Sequence, residues 1–170
     1  IVPKLLDFQL SGLAGKGIGR YGTSGLPDVT FDQAGNIRPI KAFHALAGLT
    51  LHAMPKLDIY VFGGKERERA EAFKLVSSAG VTPYGYGNPL YSNSGCQYEG
   101  APGSCVGNTR EIAQLTTGFW HRPYSGAYGR FQWGVQYSYT ERKAFPGAAG
   151  IAPTANDSMV FTSFRYYPFN

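Results

Sequence analysis

The segment from Phe131 to Thr140 constrains the fold more than any other part of this sequence. A period of two is typical of a β-strand that has one apolar and one polar face. The sequence therefore predicts a strand that separates an apolar environment from a polar one. Its large side chains alternate strictly with small or polar ones: Phe131, Trp133, Val135, Tyr137 and Tyr139 against Gln132, Gly134, Gln136, Ser138 and Thr140.

Further segments carry the same alternation less cleanly, which predicts about six antiparallel strands. The tight turns near 54–56 and 122–127 alternate with three long connections, as in an up-and-down sheet. Within the second long connection, residues 65–80 have a helix-forming composition and favour a short helix. The other predicted strands are 5–12, 41–53, 57–64, 109–121 and 159–169, and the long connections are 22–39, 65–108 and 142–157.

The composition favours strands that cross a membrane. Aromatic residues make up 15% of the chain and charged residues only 16%, against roughly 25% charged residues in ordinary soluble domains. No apolar run reaches the roughly eighteen residues of a transmembrane helix, whereas the predicted strands are near the 9–11 residues that cross a bilayer at a tilt. We therefore expect an all-β fold, an antiparallel up-and-down transmembrane β-barrel.

The sequence offers little that points to catalysis or to bound groups. The glycine pattern at 17–22 is not followed by a helix, as a dinucleotide site requires, and His44 and His52 are too far apart along one strand to share a metal. The net charge of +5 is scattered, so no nucleic-acid surface stands out. We expect no enzyme activity, no cofactor and no nucleic-acid partner. Asp7, Asp58 and Glu111 are expected on polar strand faces, either lining a lumen or simply solvated.

Cys96 and Cys105 lie close together in a segment rich in Gly, Pro and Asn. This spacing favours a local disulfide and hence an oxidising compartment, with two free thiols as the alternative.

The strand pattern and the final residues resemble the C-terminal part of Gram-negative outer-membrane porin-like β-barrels. In that family the last strand ends in an aromatic residue that the barrel-insertion machinery recognises. The resemblance implies this role for Phe169, with Tyr167 two residues before it, although Pro168 and Asn170 depart from the pattern. It also implies that the long connections are external and that lipids and the insertion machinery are partners, with other membrane proteins as further candidates.

These patterns together predict a single barrel segment over residues 1–170. Its aromatic faces would contact lipid (Phe131, Trp133, Val135, Tyr137 and Tyr139), and Arg130, Gln132 and Gln136 would face the lumen. Because single-chain barrels have at least eight strands, we expect about six strands here to be part of a larger barrel. The expected function is passive diffusion of small solutes, or a structural anchoring role. The alternative is a secreted all-β binding or filament-forming module that buries its aromatics between sheets.

Overall fold

The protein is described by a computed structural model that covers residues 5–96, 100 and 103–169. Within these residues the chain forms ten strands and two short 3₁₀ turns, at Gly19–Tyr21 and Ala148–Gly150. In chain order the strands are β1 (Leu6–Lys16), β2 (Val29–Phe31), β3 (Ile37–Pro39), β4 (Lys41–Met54), β5 (Leu57–Glu68), β6 (Glu71–Ser77), β7 (Gly80–Tyr86), β8 (Thr109–Gly126), β9 (Gly129–Ala144) and β10 (Thr154–Tyr167).

Six of these strands form one antiparallel sheet in the order β1-β4-β5-β8-β9-β10. All six predicted strands belong to it, so the prediction of an antiparallel all-β fold is confirmed. Within the described residues no strand pairs with the outer edge of β1 or of β10, and the sheet is not closed into a barrel.

Short and long connections alternate along the sheet, as the sequence predicts. Pro55 and Lys56 join β4 to β5, and Ala127 and Tyr128 join β8 to β9. The second turn is shorter than expected, because β8 continues through residues 122–126 and Gly126 pairs with Gly129. We call the side of the sheet with these turns the turn end, and the opposite side, with the long connections, the loop end.

The prediction of a helix over residues 65–80 is wrong. β5 extends to Glu68, and β6 and β7 form a separate two-stranded hairpin through Ser78 and Ala79. Gly80 follows the turn with a φ of 124°, which favours glycine. The amide of Asn88 donates to the carbonyl oxygens of Phe73 (2.6 Å) and Tyr84 (2.9 Å) and so holds both strands. Pairing in the hairpin thus outweighs a modest helix propensity.

The long connections are also more ordered and slightly shorter than predicted. β2 and β3 form a small hairpin inside the first, and β9 and β10 extend into the predicted range 142–157. A small apolar core of Ile40, Tyr86 and Phe145 joins the connections at the loop end. The buried Asn93 adds polar contacts there, donating to the carbonyl oxygens of Phe145 (3.0 Å) and Ile151 (3.1 Å).

Candidate functional site

Burial on the six-stranded sheet is inverted relative to an ordinary soluble protein. The face that carries Trp133 and Val135, here called the apolar face, is largely exposed: Val160 and Phe164 on β10 are each 70% exposed. The opposite, polar face buries hydrogen-bonding side chains, with Ser138 2% and Gln132 7% exposed. Soluble domains bury apolar groups and expose polar ones. The candidate site is therefore the polar face, where polar groups are gathered and enclosed.

The apolar face is continuous across all six strands. In the register, one row of neighbours runs from Leu6 on β1 to Thr162 on β10, through Leu51, Ile59, Phe119 and Val135. Aromatic rings pack along this face, including Phe119 edge-on against Trp133 (5.2 Å between centroids) and Phe131 stacked on Phe164 (6.4 Å). Its exposed large side chains are Phe8, Leu10, Phe43, Leu49, Leu51, Ile59, Val61, Leu115, Tyr124, Tyr137, Tyr139, Val160, Phe164 and Tyr166.

The predicted face residues of β9 divide as the alternation requires. Phe131, Trp133, Val135, Tyr137 and Tyr139 lie on the apolar face, and Arg130, Gln132 and Gln136 lie on the polar face. The prediction that Glu111 lies on a polar face is wrong, because the register pairs it with Arg67 and Lys143 on the apolar side of β8. It is nevertheless buried, because Lys65 covers it with an ion pair of 2.9 Å. This charged row marks where the apolar band ends, at the loop end.

Aromatic rings on the polar face lie over glycines of the neighbouring strand. A Cβ atom on Gly48 would come within 2.2 Å of the Phe62 ring, and one on Gly134 within 2.9 Å of Trp120. Gly118 leaves room for Tyr60, whose hydroxyl reaches across β8 and donates to Gln136 Oε1 (3.1 Å). The glycines thus let the rings lie flat against the sheet, which keeps space above the polar face open.

A charged network occupies the polar face near the turn end. The Asp58 carboxylate accepts from Arg122 Nη2 (2.8 Å) and from His52 Nδ1 (2.8 Å), and Arg122 Nη1 makes a second short bond to it. His52 Nε2 lies 3.1 Å from Asp7 Oδ2. This network ties β1, β4, β5 and β8 together. Among the described residues, no group of three or more His, Cys, Asp or Glu side chains is placed to hold a metal ion.

Arg130 on β9 and Arg165 on β10 pack against aromatic rings, whereas Arg122 is paired with a carboxylate. The guanidinium carbon of Arg165 lies 4.2 Å from the centroid of Trp120, and that of Arg130 lies 4.6 Å from that of Tyr167. Tyr167 thus has a structural contact on the polar face, whereas Phe169 is 90% exposed. Their predicted role in assembly remains a prediction.

At the loop end, the first long connection folds over the polar face. The Glu66 carboxylate accepts from the Thr23 backbone N–H (2.8 Å) and hydroxyl (2.9 Å), and more weakly from the Ser24 N–H. Between this connection and the sheet lies a cavity of about 700 Å³. Its lining is mainly uncharged and includes Ser11, His44, Phe62, Gln114, Thr116 and Thr140.

Glu68 lies beyond the charged row, outside the apolar band, and is 1% exposed. Neither carboxyl oxygen has a hydrogen-bond donor among the described residues. The Tyr86 hydroxyl donates to the Thr109 carbonyl oxygen (2.7 Å) rather than to this carboxyl group. Burial, with the nearby charges of Asp28 and Glu66, raises the pKa of Glu68 to about 7.

Asp7 and Asp58 lie on the polar face, as the alternation of their strands predicts, whereas their partners were not predicted. The turn at Pro55–Lys56 was a usable signal, because it brings His52 opposite Asp58. Arg122 was missed because the sequence predicts a turn over residues 122–127, and no sequence pattern marks the bulge between His121 and Tyr124. No local sequence pattern identifies Arg165 or Glu68 as a site residue.

Cys96 and Cys105 lie at disulfide distance, with 2.03 Å between their sulfur atoms, as the spacing predicts. Part of the segment between them lies outside the described residues. Across the described part of the chain, no helix is long and apolar enough to span a membrane. Comparison of the chain with protein-family models, curated proteins and solved structures finds no match.

Proposed function

We propose that this chain forms part of the wall of a β-barrel in a bacterial outer membrane, with its apolar face against lipid and its polar face lining a water-filled passage for small solutes. The observation that carries the proposal is the inverted burial of the six-stranded sheet. Aromatic side chains each cover about 150–250 Å² and the aliphatic ones somewhat less, so about a dozen of them, roughly half exposed, leave on the order of 1,000 Å² of apolar surface. Monomeric soluble proteins rarely expose more than a few hundred Å² in one patch.

The height of the apolar band supports a bilayer as the covering medium. On β9 the band runs from Phe131 to Tyr139, and charged side chains follow at Glu141 and Lys143. At about 3.3 Å per residue and a tilt near 40°, this stretch rises roughly 20 Å. Transmembrane barrels have an outward apolar band of about 25 Å, flanked by aromatic rings. Phe131 and Tyr166 at the turn end and Tyr139 at the loop end fit such flanking positions.

The topology supports the same proposal. Tight turns at one end and long connections at the other are typical of outer-membrane barrels, whose turns are periplasmic. Further strands paired to the edges of β1 and β10 would close the barrel, since open sheet edges do not occur in the hydrocarbon region. The cysteine pair fits an oxidising compartment. Tyr167 and Phe169, at the turn end, would be the residues read by the insertion machinery.

A second candidate is a secreted all-β module that binds a partner or forms filaments. The unpaired edges of β1 and β10 favour it, because exposed edge strands are templates for pairing with another chain. In that case the apolar face would be covered by protein rather than by lipid. A purely anchoring barrel would share the lipid contacts but conduct no solute.

Cysteine accessibility on two neighbouring residues of β9 tests the proposal. Gln136→Cys places a thiol on the polar face and Val135→Cys places one at the centre of the apolar band, with Cys96 and Cys105 bonded to each other and unreactive. After reconstitution into lipid vesicles, a charged, membrane-impermeant thiol reagent should modify the first variant and not the second.

Equal modification of both thiols, or failure of the folded protein to float with the vesicles, would favour the secreted module. Swelling of the same vesicles in isotonic solutions of small solutes then separates a channel from an anchoring barrel. A channel admits solute and the vesicles swell, whereas an anchoring barrel leaves their volume unchanged.

A further inference from the structure

Two lysines oppose each other where the apolar face ends at the loop end. Lys16 on β1 pairs directly with Lys41 on β4, on the apolar side of the sheet. The backbone N–H of Arg69 donates to the Lys41 carbonyl oxygen (2.8 Å), so a third cationic residue adjoins the pair. Directly opposed side chains have Cβ atoms about 4.5–5.5 Å apart, and like charges in that position destabilise a sheet. The chain thus holds a repulsive arrangement that a bound anion would relieve.

These three cationic residues line one cavity of about 850 Å³, here called the cationic cavity. Ala14 and Phe43, the preceding cross-strand pair on the apolar side of β1 and β4, line it as well. Two arginines add to its positive charge: Arg67, which lies 3.9 Å from Glu111, and Arg110. The cationic cavity therefore joins the upper edge of the apolar face to a group of positive charges.

The positive charges of the cationic cavity are poorly neutralised by the chain itself. Among the described residues, no carboxylate lies within 4.0 Å of the charged groups of Lys16, Lys41 or Arg69. The Arg110 Nε is buried without an acceptor in the same part of the chain. Glu68 also lines the cavity, but burial raises its pKa to about 7, so it carries only part of a negative charge at neutral pH. The cavity therefore keeps a net positive charge.

We propose that the cationic cavity binds the phosphate headgroup of an anionic membrane lipid, in the leaflet at the loop end. Lysine and arginine side chains bind phosphate oxygens through charge-assisted hydrogen bonds, and basic pockets beside an apolar surface hold lipid headgroups. Ala14 and Phe43 would contact the upper part of the acyl chains, which a soluble phosphate lacks. The inference rests on the proposed function in one respect: the apolar face must contact lipid for a headgroup to reach the cavity.

Competition between two lipids in micelles tests the proposal. The protein, folded in a nonionic detergent, is mixed with equal amounts of phosphatidylglycerol, which is anionic, and phosphatidylcholine, which is zwitterionic, both with the same acyl chains. Native mass spectrometry then counts the lipids of each kind that stay bound to the protein. Because each cation at an anionic lipid surface favours binding roughly fivefold, we expect phosphatidylglycerol to be retained about tenfold more or better.

Lys41→Gln should lower this preference about fivefold, because it removes one cation from the cavity, whereas Lys41→Arg keeps the charge and should retain the preference. Lys74→Gln is the matched control, since it removes an exposed charge from β6, outside the cavity lining, and should change nothing. Lys41 is exposed and opposed by Lys16, so its replacement should not impair folding. If circular dichroism shows that it does, Arg69→Gln, for which the same fivefold loss is expected, decides the question.

Equal retention of the two lipids by the parent protein, or equal losses in Lys41→Gln and Lys74→Gln, would overturn the lipid site. Displacement of phosphatidylglycerol by inorganic phosphate, at ionic strength held constant with sodium chloride, would also overturn it, because the ligand would then be free phosphate. The micelle assay does not depend on insertion into vesicles. A lipid preference in protein that fails to float with vesicles would retain the site and reject the barrel, and flotation without a preference would do the reverse.

Discussion

Val135→Arg is the substitution whose cost best separates a lipid-facing sheet from a water-facing one. Val135 lies four residues from Phe131 and four from Tyr139, at the centre of the apolar band. Its neighbours in the row are Phe119 and Thr162, and neither carries a negative charge that could neutralise an arginine. An arginine at the midplane of a membrane barrel costs about 2–4 kcal/mol, whereas a typical surface substitution in water changes stability by less than about 0.5 kcal/mol.

The matched control is Gln136→Arg, which places the same charge one residue further along β9 on the polar face. Its cost comes from lost hydrogen bonds, with Tyr60 (3.1 Å) and Ser138 (3.1 Å). A hydrogen bond contributes about 1 kcal/mol net, and the new guanidinium retains water as a partner. We therefore expect Gln136→Arg to lose about 1–2 kcal/mol, less than Val135→Arg.

The assay is reversible urea unfolding of each variant from lipid vesicles, followed by circular dichroism, with Val135→Leu as a control for size. A loss below about 0.5 kcal/mol for Val135→Arg, or a larger loss for Gln136→Arg, would refute the assignment of the two faces.

Three further predictions concern the loop end, the cysteines and the final aromatics. Glu68 keeps its proton in the folded state to about pH 7, well above an unfolded glutamate, so stability should fall as pH rises from about 4.5 to 7, by up to about 3 kcal/mol. Glu68→Gln should abolish this fall in urea titrations at several pH values, and an unchanged pH profile would contradict it. Intact-mass measurement without reductant should show Cys96 and Cys105 resistant to alkylation, and reduction should cost roughly 2–3 kcal/mol; two alkylated thiols before reduction would refute the bond. Phe169→Ala should slow assembly by the insertion machinery but leave spontaneous folding in detergent unchanged, since Phe169 is 90% exposed. Equal assembly rates for Phe169→Ala and the unaltered protein would refute the predicted role of Phe169 in assembly.

The strands and their faces were predictable because they depend on local alternation. From Phe131 to Thr140 each residue's face follows from a period of two, and the same count from Phe119 back to Glu111 gives the correct face for Glu111. The hairpin β6–β7 was missed because composition over 65–80 describes helix propensity, which is weaker than strand pairing and the clamp by Asn88.

The contacts that define the site were not predictable because they are distant in the sequence. The bonds from Thr23 and Ser24 to Glu66 span more than forty residues, and the bond from Tyr60 to Gln136 crosses an intervening strand. The stacking of Arg165 on Trp120 depends on the space above Gly134. The last two contacts require the register of three strands, which alternation alone does not set.

Quenching of tryptophan fluorescence by brominated lipids shows directly whether the apolar face contacts lipid. Trp133 lies on the apolar face and Trp120 on the polar face, so Trp120→Phe and Trp133→Phe each leave one tryptophan as reporter. In vesicles of lipids brominated along their acyl chains, we expect strong quenching of Trp133 in Trp120→Phe and little quenching of Trp120 in Trp133→Phe. Equal quenching of both reporters, or none for either in vesicle-bound protein, would contradict contact between the apolar face and lipid.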